Sequence, residues 1–361
     1  MYAMTNAAGG NEILVYEHSG DGIPRLVARV ATGGRGSGGT ATSPVDALGS
    51  QGSLLLSADG HWLFAVNAGS DEISCLEVVM PGRVVLRDKV LSGGMFPVSL
   101  ALHGPLLYVL NSGGEGNITG FTVGESGRLT QLIGSTRSLQ AGGSNPPSFL
   151  LSPAQVGFSP AGDKLLVTVK GSNDIHVFSL DANGVPGERP VTTKSAGNRP
   201  FSFAFDTRGH LLVAEPFGSH SVGTPNAGAV TSYQLRPDGR LKVIDASVDN
   251  EQTATCWVAV DGQGRYAYAT NNASATITGY RIRKNGHLRL LDGDGISARL
   301  PSGSAPVDIS VSRDGRFLYT VNAGTGTLDA FRIDPATGHL TLLGEIGGLP
   351  AADGAVGLVA D

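Results

Sequence analysis

Residues 312–343 read SRDGRFLYTVNAGTGTLDAFRIDPATGHLTLL, and this stretch decides the fold because the rest of the chain repeats it with variations. An Asp-Gly pair near its start is typical of a tight turn. The apolar run 317–321, with aromatic and β-branched residues, predicts a buried strand. Two further strands are predicted at 327–333 and 340–343, separated by a turn that contains Pro and Gly, and a fourth lies upstream at 306–311. One module is therefore four short antiparallel strands.

The same module can be counted seven times along the chain. The residue that ends the second strand of each copy marks the repeat, and successive markers are 44 to 61 residues apart. The markers are Asn6, Asn67, Asn111, Lys170, Glu215, Asn271 and Asn322. Four antiparallel strands per unit, repeated seven times, predict an all-β fold. That fold is a seven-bladed β-propeller that occupies residues 1–361 as a single repeat domain.

The two ends of the sequence predict how the ring closes. Residues 2–6, YAMTN, stand where the repeat has its second strand, so the sequence opens in the middle of a unit. Residues 348–361 match the first strand of a unit together with the loop that leads into it. One blade is therefore expected to take its innermost strand from the C-terminal end and its outer three strands from the N-terminal end. This arrangement leaves no free sheet edge.

Composition and charge argue against several classes of function. The 361 residues include 53 glycines and only 16% charged residues, and the net charge is −5. Without a cluster of Lys and Arg, nucleic acid is not an expected partner, and without an apolar segment near 18 residues no membrane span is expected. Cys75 and Cys256 fall in different repeats, so no disulfide is predicted. The location is taken as cytoplasmic by default, or exported if a leader has been removed.

The first strand of each unit is expected to line a central channel. In these strands an apolar position, such as Leu54 or Val258, alternates with positions that are mostly small or polar. Period-two alternation places the apolar positions between blades and the others toward the axis. A funnel at the channel mouth is the default place for a ligand. The axis-facing positions are Ser53, Ser99, Gln155, Ser202, Trp257, Asp308 and Ala355, and, two residues further, Leu55, Ala101, Gly157, Ala204, Ala259, Ser310 and Gly357.

The D-G-x-x-L-Y-x-x-N repeat, its spacing of about 50 residues, the seven copies and the split blade resemble those of the seven-bladed lactonase family. This family includes propeller-type bacterial 6-phosphogluconolactonase and fungal 3-carboxy-cis,cis-muconate cyclase. The resemblance covers essentially the whole chain and implies a lactonase or cycloisomerase that acts on a small anionic lactone.

The family's site combines a His-Pro-His stretch, an Arg before a first strand, a Glu that ends the following second strand, and a later Arg. Arg199 and Glu215 match two of these positions. Ser152-Pro153-Ala154 replaces the His-Pro-His stretch, and Asn272 stands in place of the later Arg. The resemblance therefore carries over half of the family's site.

Opening a lactone requires a base for the attacking water and donors for the developing oxyanion. Glu215 is the predicted general acid or base. Arg199 is the predicted binder of a substrate carboxylate or of the oxyanion. The alternative is that these two residues form a structural ion pair between neighbouring strands. The predicted substrate-binding residues are Gln155, Asn272, Trp257, Asp308 and Ser152.

A second class of function stays open at this point, namely a non-catalytic propeller that binds a small molecule or a protein at its funnel. The loss of both imidazoles and of the second Arg favours this binder. Retention of Arg199 and Glu215 favours the enzyme, as does the long loop 216–228, which could fold over the channel. The fold alone does not choose between them.

No cofactor or metal is predicted. A calcium ion would have to be held by Glu215, Asp308 and Asn272, but Asn recurs at most strand ends, as a turn-capping residue would. No G-x-S-x-G motif is present, and Cys256 is interpreted as a core residue, so nucleophilic catalysis is not expected. The Gly-rich stretch 33–39 lacks the Lys-Ser/Thr and the helix of a phosphate loop, and it is interpreted as a flexible lip of the funnel.

Overall fold

Seven antiparallel sheets form the computed structural model, which describes residues 1–18, 20–39, 43 and 45–361. Five of the sheets have four strands in simple neighbouring order. In the other two sheets the outermost position is divided between two short strands. The fold is therefore the predicted all-β, seven-bladed propeller, and its blades are numbered 1 to 7 along the chain.

Blades 1 to 4 contain the first part of the strand series. These strands are β1 (Tyr2–Met4), β2 (Glu12–Glu17) and β3 (Arg25–Ala31) in blade 1; β4 (Leu54–Leu56), β5 (Trp62–Asn67), β6 (Glu72–Met80) and β7 (Arg83–Leu91) in blade 2; β8 (Pro97–His103), β9 (Leu106–Asn111), β10 (Asn117–Val123), β11 (Leu129–Gln131) and β12 (Arg137–Ser138) in blade 3; and β13 (Pro153–Phe158), β14 (Lys164–Val169), β15 (Asp174–Ser179) and β16 (Val191–Lys194) in blade 4. A single 3₁₀ turn, Ala68–Ser70, follows β5.

Blades 5 to 7 continue the series, and the last strand returns to blade 1. These strands are β17 (Phe203–Phe205), β18 (His210–Glu215), β19 (Ala229–Leu235) and β20 (Leu241–Asp249) in blade 5; β21 (Thr255–Val260), β22 (Tyr266–Asn271), β23 (Thr276–Ile282), β24 (Leu288–Leu290) and β25 (Ala298–Arg299) in blade 6; β26 (Pro306–Val311), β27 (Phe317–Asn322), β28 (Thr327–Ile333) and β29 (Leu340–Gly347) in blade 7; and β30 (Leu358–Val359), which completes blade 1.

The two ends of the described chain meet in blade 1, as the sequence predicts. Strand β30 is the innermost strand of that sheet and pairs antiparallel with β1, in the register Tyr2 with Val359 and Ala3 with Leu358. The sheet order is β3-β2-β1-β30. Backbone hydrogen bonds between the two ends therefore close the ring.

Burial follows the position of a strand within its blade. Second strands such as β14 and β27 are buried along their whole length because neighbouring blades cover both faces of the sheet. Outer strands such as β7 alternate between exposed and less exposed residues. The apolar inner-strand positions predicted to pack between blades are all buried: Leu54, Leu100, Val156, Phe203, Val258, Ile309 and Val356.

The Asp-Gly turns between the first and second strands have a specific hydrogen-bond pattern. The carboxylate of Asp314 accepts hydrogen bonds from Ser312 Oγ at 2.7 Å and from the backbone N–H of Arg316 at 3.0 Å. Gly315 lies between them with φ of 71°, a conformation that favours glycine. This geometry explains why Ser, Asp and Gly recur together in the repeat.

The side chains of the strand-end Asn residues form hydrogen bonds between the second and third strands of a blade. Asn67 donates to Ser74 Oγ at 2.8 Å, and Asn271 donates to Thr278 Oγ1 at 2.9 Å. All of these markers are buried. Most residues at these strand ends therefore stabilise the fold, and the two that are not Asn, Lys170 and Glu215, are candidates for a different role.

Candidate functional site

The central channel is closed at one level by the segment 46–52, which precedes the inner strand of blade 2. The Gln51 side chain donates to the carbonyl oxygen of Val258 at 3.0 Å and accepts from its N–H at 3.1 Å. The indole of Trp257 donates to the carbonyl oxygen of Ser50 at 2.8 Å. Because these bonds connect blade 2 with blade 6 across the axis, this segment divides the channel into two cavities.

The lower cavity, of about 380 Å³, lies on the side of the Asp-Gly turns and contains Arg313 near its mouth. Five residues predicted to face the axis line it: Leu55, Ala204, Ala259, Asp308 and Ser310. The upper cavity, of about 610 Å³, lies on the opposite side. It is bounded by the segment around Leu48 and Gly49 and by the loop 144–152.

Lys170 lies beneath the upper cavity. It occupies the strand-end position that is Asn in most other blades, and only 1% of it is exposed. Its Nζ donates to the carbonyl oxygen of Gly49 at 2.6 Å and lies 5.3 Å from the ring centre of Phe149 and 4.7 Å from that of Phe201. Burial lowers the pKa of Lys170, and the nearby carboxylate of Asp46 opposes this effect.

Three polar atoms around this floor are buried without a hydrogen-bond partner among the described residues. They are Asp46 Oδ2, Ser152 Oγ and Arg199 Nε. The other carboxylate oxygen of Asp46 accepts the N–H of Gly49 at 2.8 Å, and burial raises the pKa of Asp46 while the charge of Lys170 opposes that rise. Buried polar atoms normally have partners, so this cluster is suited to a bound polar group.

Arg199 is adjacent to Lys170. Its Nη1 donates to the carbonyl oxygens of Lys170 at 2.8 Å and Gly171 at 3.0 Å, and its backbone N–H donates to Asn173 Oδ1 at 2.7 Å. The residue is partly exposed, with φ of 62°. The predicted anion binder therefore lies at the edge of the same floor, with Nη1 fixed by two carbonyls and Nε unpaired among the described residues.

Glu215 is completely buried among the outer strands of blade 5. Its Oε1 accepts Ser195 Oγ at 3.0 Å and the N–H of Gly197 at 2.9 Å, and its Oε2 accepts Thr231 Oγ1 at 2.9 Å and Ser247 Oγ at 2.8 Å. Burial raises the pKa of Glu215, and these four hydrogen bonds oppose the rise. A Cβ at Gly197 would lie 1.9 Å from Oε2, so the carboxylate is tightly enclosed.

The structure does not bring Arg199 and Glu215 together as an ion pair. The donors to Glu215 are hydroxyls and one backbone N–H, whereas the hydrogen bonds from the Arg199 guanidinium go to backbone carbonyls. The ion pair considered from the sequence is therefore absent from the described part of the chain. Glu215 holds the loop 195–197, which leads directly to Arg199.

The remaining predicted substrate-binding residues are scattered around the axis. Gln155 donates to and accepts from the backbone of Phe203, at 3.0 and 2.7 Å, and so joins blades 4 and 5. Asn272 donates to the carbonyl oxygen of Pro306 at 3.2 Å, and Trp257 is fully buried. Asp308 borders the lower cavity, and burial raises its pKa to about 8. Their binding role stays a prediction; of the five, only Ser152 lines the upper cavity.

The structure shows the contacts of two loops that the sequence analysis singled out. The stretch 33–39, interpreted as a lip of the funnel, is bonded to blades 1 and 2 through Asn6 and Gly69, for example by Gly38 N–H to the Asn6 carbonyl at 2.8 Å. Residues 40–42 and 44 of the same connection lie outside the described residues. The loop 216–228 packs against residues 197–198 and 250–253 and lines neither cavity.

Sequence reasoning missed Lys170 and Asp46 as site residues. Lys170 could have been found from the sequence, because most repeats have Asn at this strand-end position and Lys170 departs from that pattern. Asp46 carried no such signal, because it lies in a connection without a repeat partner. Its proximity to Lys170 results from the path of the segment 46–52 across the axis.

Both cysteines are free and buried, as expected for core residues. Burial raises the pKa of the Cys256 thiol well above its usual value. Within the described ranges no group of three or more His, Cys, Asp or Glu side chains is arranged to hold a metal ion. No helix in the same ranges has the length and apolar character needed to cross a membrane.

Comparison with known proteins agrees with this architecture. A family model described as "Lactonase, 7-bladed beta-propeller" matches residues 217–295. The 6-phosphogluconolactonase of Yersinia pseudotuberculosis serotype O:3 is 25% identical over 202 residues, which are 54% of this chain and 57% of the relative. That of Yersinia enterocolitica is 24% identical over 203 residues, with the same coverage. The chain thus spans somewhat more than half the length of the curated relatives that it matches.

Solved structures show the same fold at low sequence identity. The periplasmic gluconolactonase of Pseudomonas aeruginosa superposes with a TM-score of 0.74 at 20% identity, covering 99% of this chain and 98% of the other. A functionally unknown protein of Desulfotomaculum acetoxidans gives a TM-score of 0.67 at 13% identity, covering 100% and 99%. The seven sheets define a β-propeller, and one cavity lies on each side of the segment 46–52. The family model and the curated relatives show that parts of this chain are similar to the seven-bladed β-propeller lactonase family.

Proposed function

We propose that the chain is a lactone hydrolase that binds its substrate on the floor of the upper cavity. The observation that carries this proposal is that two oppositely charged groups, Lys170 and Asp46, are buried near each other beside Arg199. Lys170 has only one acceptor for its three N–H groups among the described residues, and Asp46 Oδ2 has no donor there. A cyclic ester and a water molecule would supply the missing partners.

The chemistry requires a base, a nucleophilic water and stabilisation of negative charge. Asp46 Oδ2 would take a proton from water as the oxygen attacks the lactone carbonyl. The ammonium of Lys170 and the guanidinium of Arg199 would stabilise the oxyanion. The ring C–O bond then breaks, the leaving alkoxide takes the proton from Asp46, and the product is a hydroxy acid. A carboxylate on the substrate, as in an anionic lactone, would use the same guanidinium.

Glu215 has a different place in this proposal from the acid or base predicted from the sequence. Because its carboxylate holds Ser195 and Gly197, it positions the backbone that carries Arg199. Direct proton transfer by Glu215 would require the enclosing loop to open. The two roles give opposite results for an amide substitution, which is described in the Discussion.

The test is proton release from a panel of sugar, aliphatic and muconate-type lactones by the purified protein, with spontaneous hydrolysis subtracted. Lys170→Met, Asp46→Asn and Arg199→Ala should each lower kcat/KM by about 100-fold or more, as expected for groups at the reacting atoms. Lys242→Met, on an exposed outer strand, is the matched control and should leave kcat/KM unchanged. Activity that survives all three site variants would place the reaction elsewhere.

Non-catalytic binding of an organic acid is the second candidate, and one observation favours it. Ser152-Pro153-Ala154 stands where the resembled family has its His-Pro-His stretch, so no imidazole is present there for catalysis. If no lactone is opened, calorimetric binding of a hydroxy acid that Arg199→Ala abolishes would favour this candidate.

A further inference from the structure

The walls of the upper cavity differ in chemistry from its floor. Above Lys170 and Asp46, the described side chains that line the cavity are largely apolar, and the polar ones among them are serines. The larger apolar lining residues are Leu48, Phe96, Pro146, Pro147, Phe149 and Leu150. The cavity has a volume of about 610 Å³, a size typical of small-molecule sites, and the charged groups of Lys170 and Asp46 lie behind its surface, next to the lining residue Gly49.

The apolar surface continues outward from the cavity mouth. Phe149 and Leu150 are each 37% exposed, Leu151 is 43% exposed and Met95 is 45% exposed. Met95 contacts the same loop, because the amide of Asn145 donates to its sulfur at 3.6 Å. A contiguous group of large apolar side chains at the mouth of a pocket marks a surface that apolar ligand atoms can cover.

A polyhydroxylated lactone does not suit these walls. Each sugar hydroxyl that enters a cavity needs a hydrogen-bond partner, and an unpaired buried polar group is costly. The serines of the wall are few, and Ser144 already donates to the carbonyl oxygen of Pro146 at 2.7 Å. Alkyl or aryl groups need no such partners and gain from burial against Phe149, Leu150 and the prolines.

We infer that the substrate is a lactone with an apolar substituent, with its cyclic ester on the Lys170–Asp46 floor and its alkyl or aryl group along Pro146–Leu150. This inference rests on the proposed hydrolase function and adds the substrate class. The reaction adds one water across the acyl C–O bond and gives a hydroxy acid, whose carboxyl group releases one proton at neutral pH.

The experiment measures kcat/KM by proton release for δ-hexalactone, δ-octalactone and δ-decalactone, which share one ring and differ in alkyl length, and for glucono-δ-lactone. We expect kcat/KM to rise by at least about tenfold from δ-hexalactone to δ-decalactone. Burial of one methylene group should change kcat/KM roughly fourfold, and the alkyl chain of the lactone would be only partly enclosed by the cavity. Glucono-δ-lactone should be the poorest substrate.

Leu150→Ser should lower the ratio of kcat/KM for δ-decalactone to that for δ-hexalactone, because it removes an apolar side chain that would contact the alkyl group of the lactone. Leu342→Ser replaces an equally simple exposed leucine on the outer strand of blade 7 and should leave the ratio unchanged. A ratio near one in the unmodified protein, or faster opening of glucono-δ-lactone, would contradict the inference of an apolar substrate but leave the proposed hydrolase function intact. Failure to open any lactone overturns the proposed function itself.

Discussion

Lys170 Nζ donates a 2.6 Å hydrogen bond to the carbonyl oxygen of Gly49, a residue 121 positions away in the sequence. This bond joins the second strand of blade 4 to the segment that closes the channel. It brings a buried cation next to the turn that carries Asp46, so the candidate site and the closure of the channel share the same residues.

The buried charges of Lys170 and Asp46 should be energetically coupled. Lys170→Met leaves the Asp46 carboxylate buried without a cation, which should lower the free energy of unfolding by about 3 kcal/mol. Because Asp46→Asn removes that charge, the double variant should be at least about 1 kcal/mol more stable than the sum of the single losses implies. Denaturant unfolding of the unmodified protein, the two single variants and the double variant measures this coupling free energy. Simple additivity would mean that the two side chains do not interact.

The buried carboxyl of Asp308 should make stability depend on pH. Its pKa is raised from 3.8 to about 8 by burial, so the folded protein keeps a proton that the unfolded chain releases above about pH 4. The resulting stabilisation is complete below pH 3.8, declines between about pH 4 and 8, and is lost above about pH 8.

Asp308→Asn should remove this contribution, so the stability difference between variant and unmodified protein should change across the same pH range. The melting temperatures of both proteins from pH 4 to 9 provide the measurement. Because all other titrating groups are common to the two proteins, parallel curves would show that Asp308 is ionised in the folded state.

Replacement of Glu215 separates its two roles. In Glu215→Gln the amide oxygen can still accept from Ser195 and Gly197, while Thr231 and Ser247 can turn their hydroxyls to accept from the amide nitrogen. We therefore expect Glu215→Gln to fold and to keep most of its lactonase activity.

Glu215→Ala removes the acceptor of four hydrogen bonds in blade 5 and should lower the free energy of unfolding by about 3 kcal/mol or more. Melting temperatures and kcat/KM of both variants distinguish a structural role of Glu215 from a role as acid or base. A well-folded Glu215→Gln protein that has lost activity would restore Glu215 as the acid or base.

The bridge of Gln51 to Val258 should stabilise the ring across its axis. Gln51→Ala removes two hydrogen bonds to the backbone of blade 6 and should lower the free energy of unfolding by about 2 kcal/mol. Gln131→Ala, at an exposed position of β11, is the matched control and should change stability by less than about 0.5 kcal/mol. Equal melting temperatures for the two variants would show that the bridge contributes nothing.

The repeat itself determined most of the fold. The Ser, Asp and Gly of each turn, the apolar second strands and the strand-end Asn residues are local signals, because each acts through hydrogen bonds or burial within its own blade. The split blade could also be predicted, since the final residues 348–361 match a first strand that residues 2–6 lack. The position of Arg199 before β17 could be read from the sequence, whereas its role in binding stays a prediction.

Only the tertiary structure decided which polar groups meet at the axis. Asp46 and Gln51 lie in a connection with no repeat partner; Asp46 lies near the side chain of Lys170 in blade 4, and Gln51 bonds to the backbone of Val258 in blade 6. Glu215 matched a family position, but its carboxylate faces the third and fourth strands of its own blade, because the side chain at a strand end can turn to either face of the sheet. Local sequence patterns specify strands and turns. The convergence of Lys170, Asp46 and Arg199 depends on how distant blades pack, and no local pattern encodes that packing.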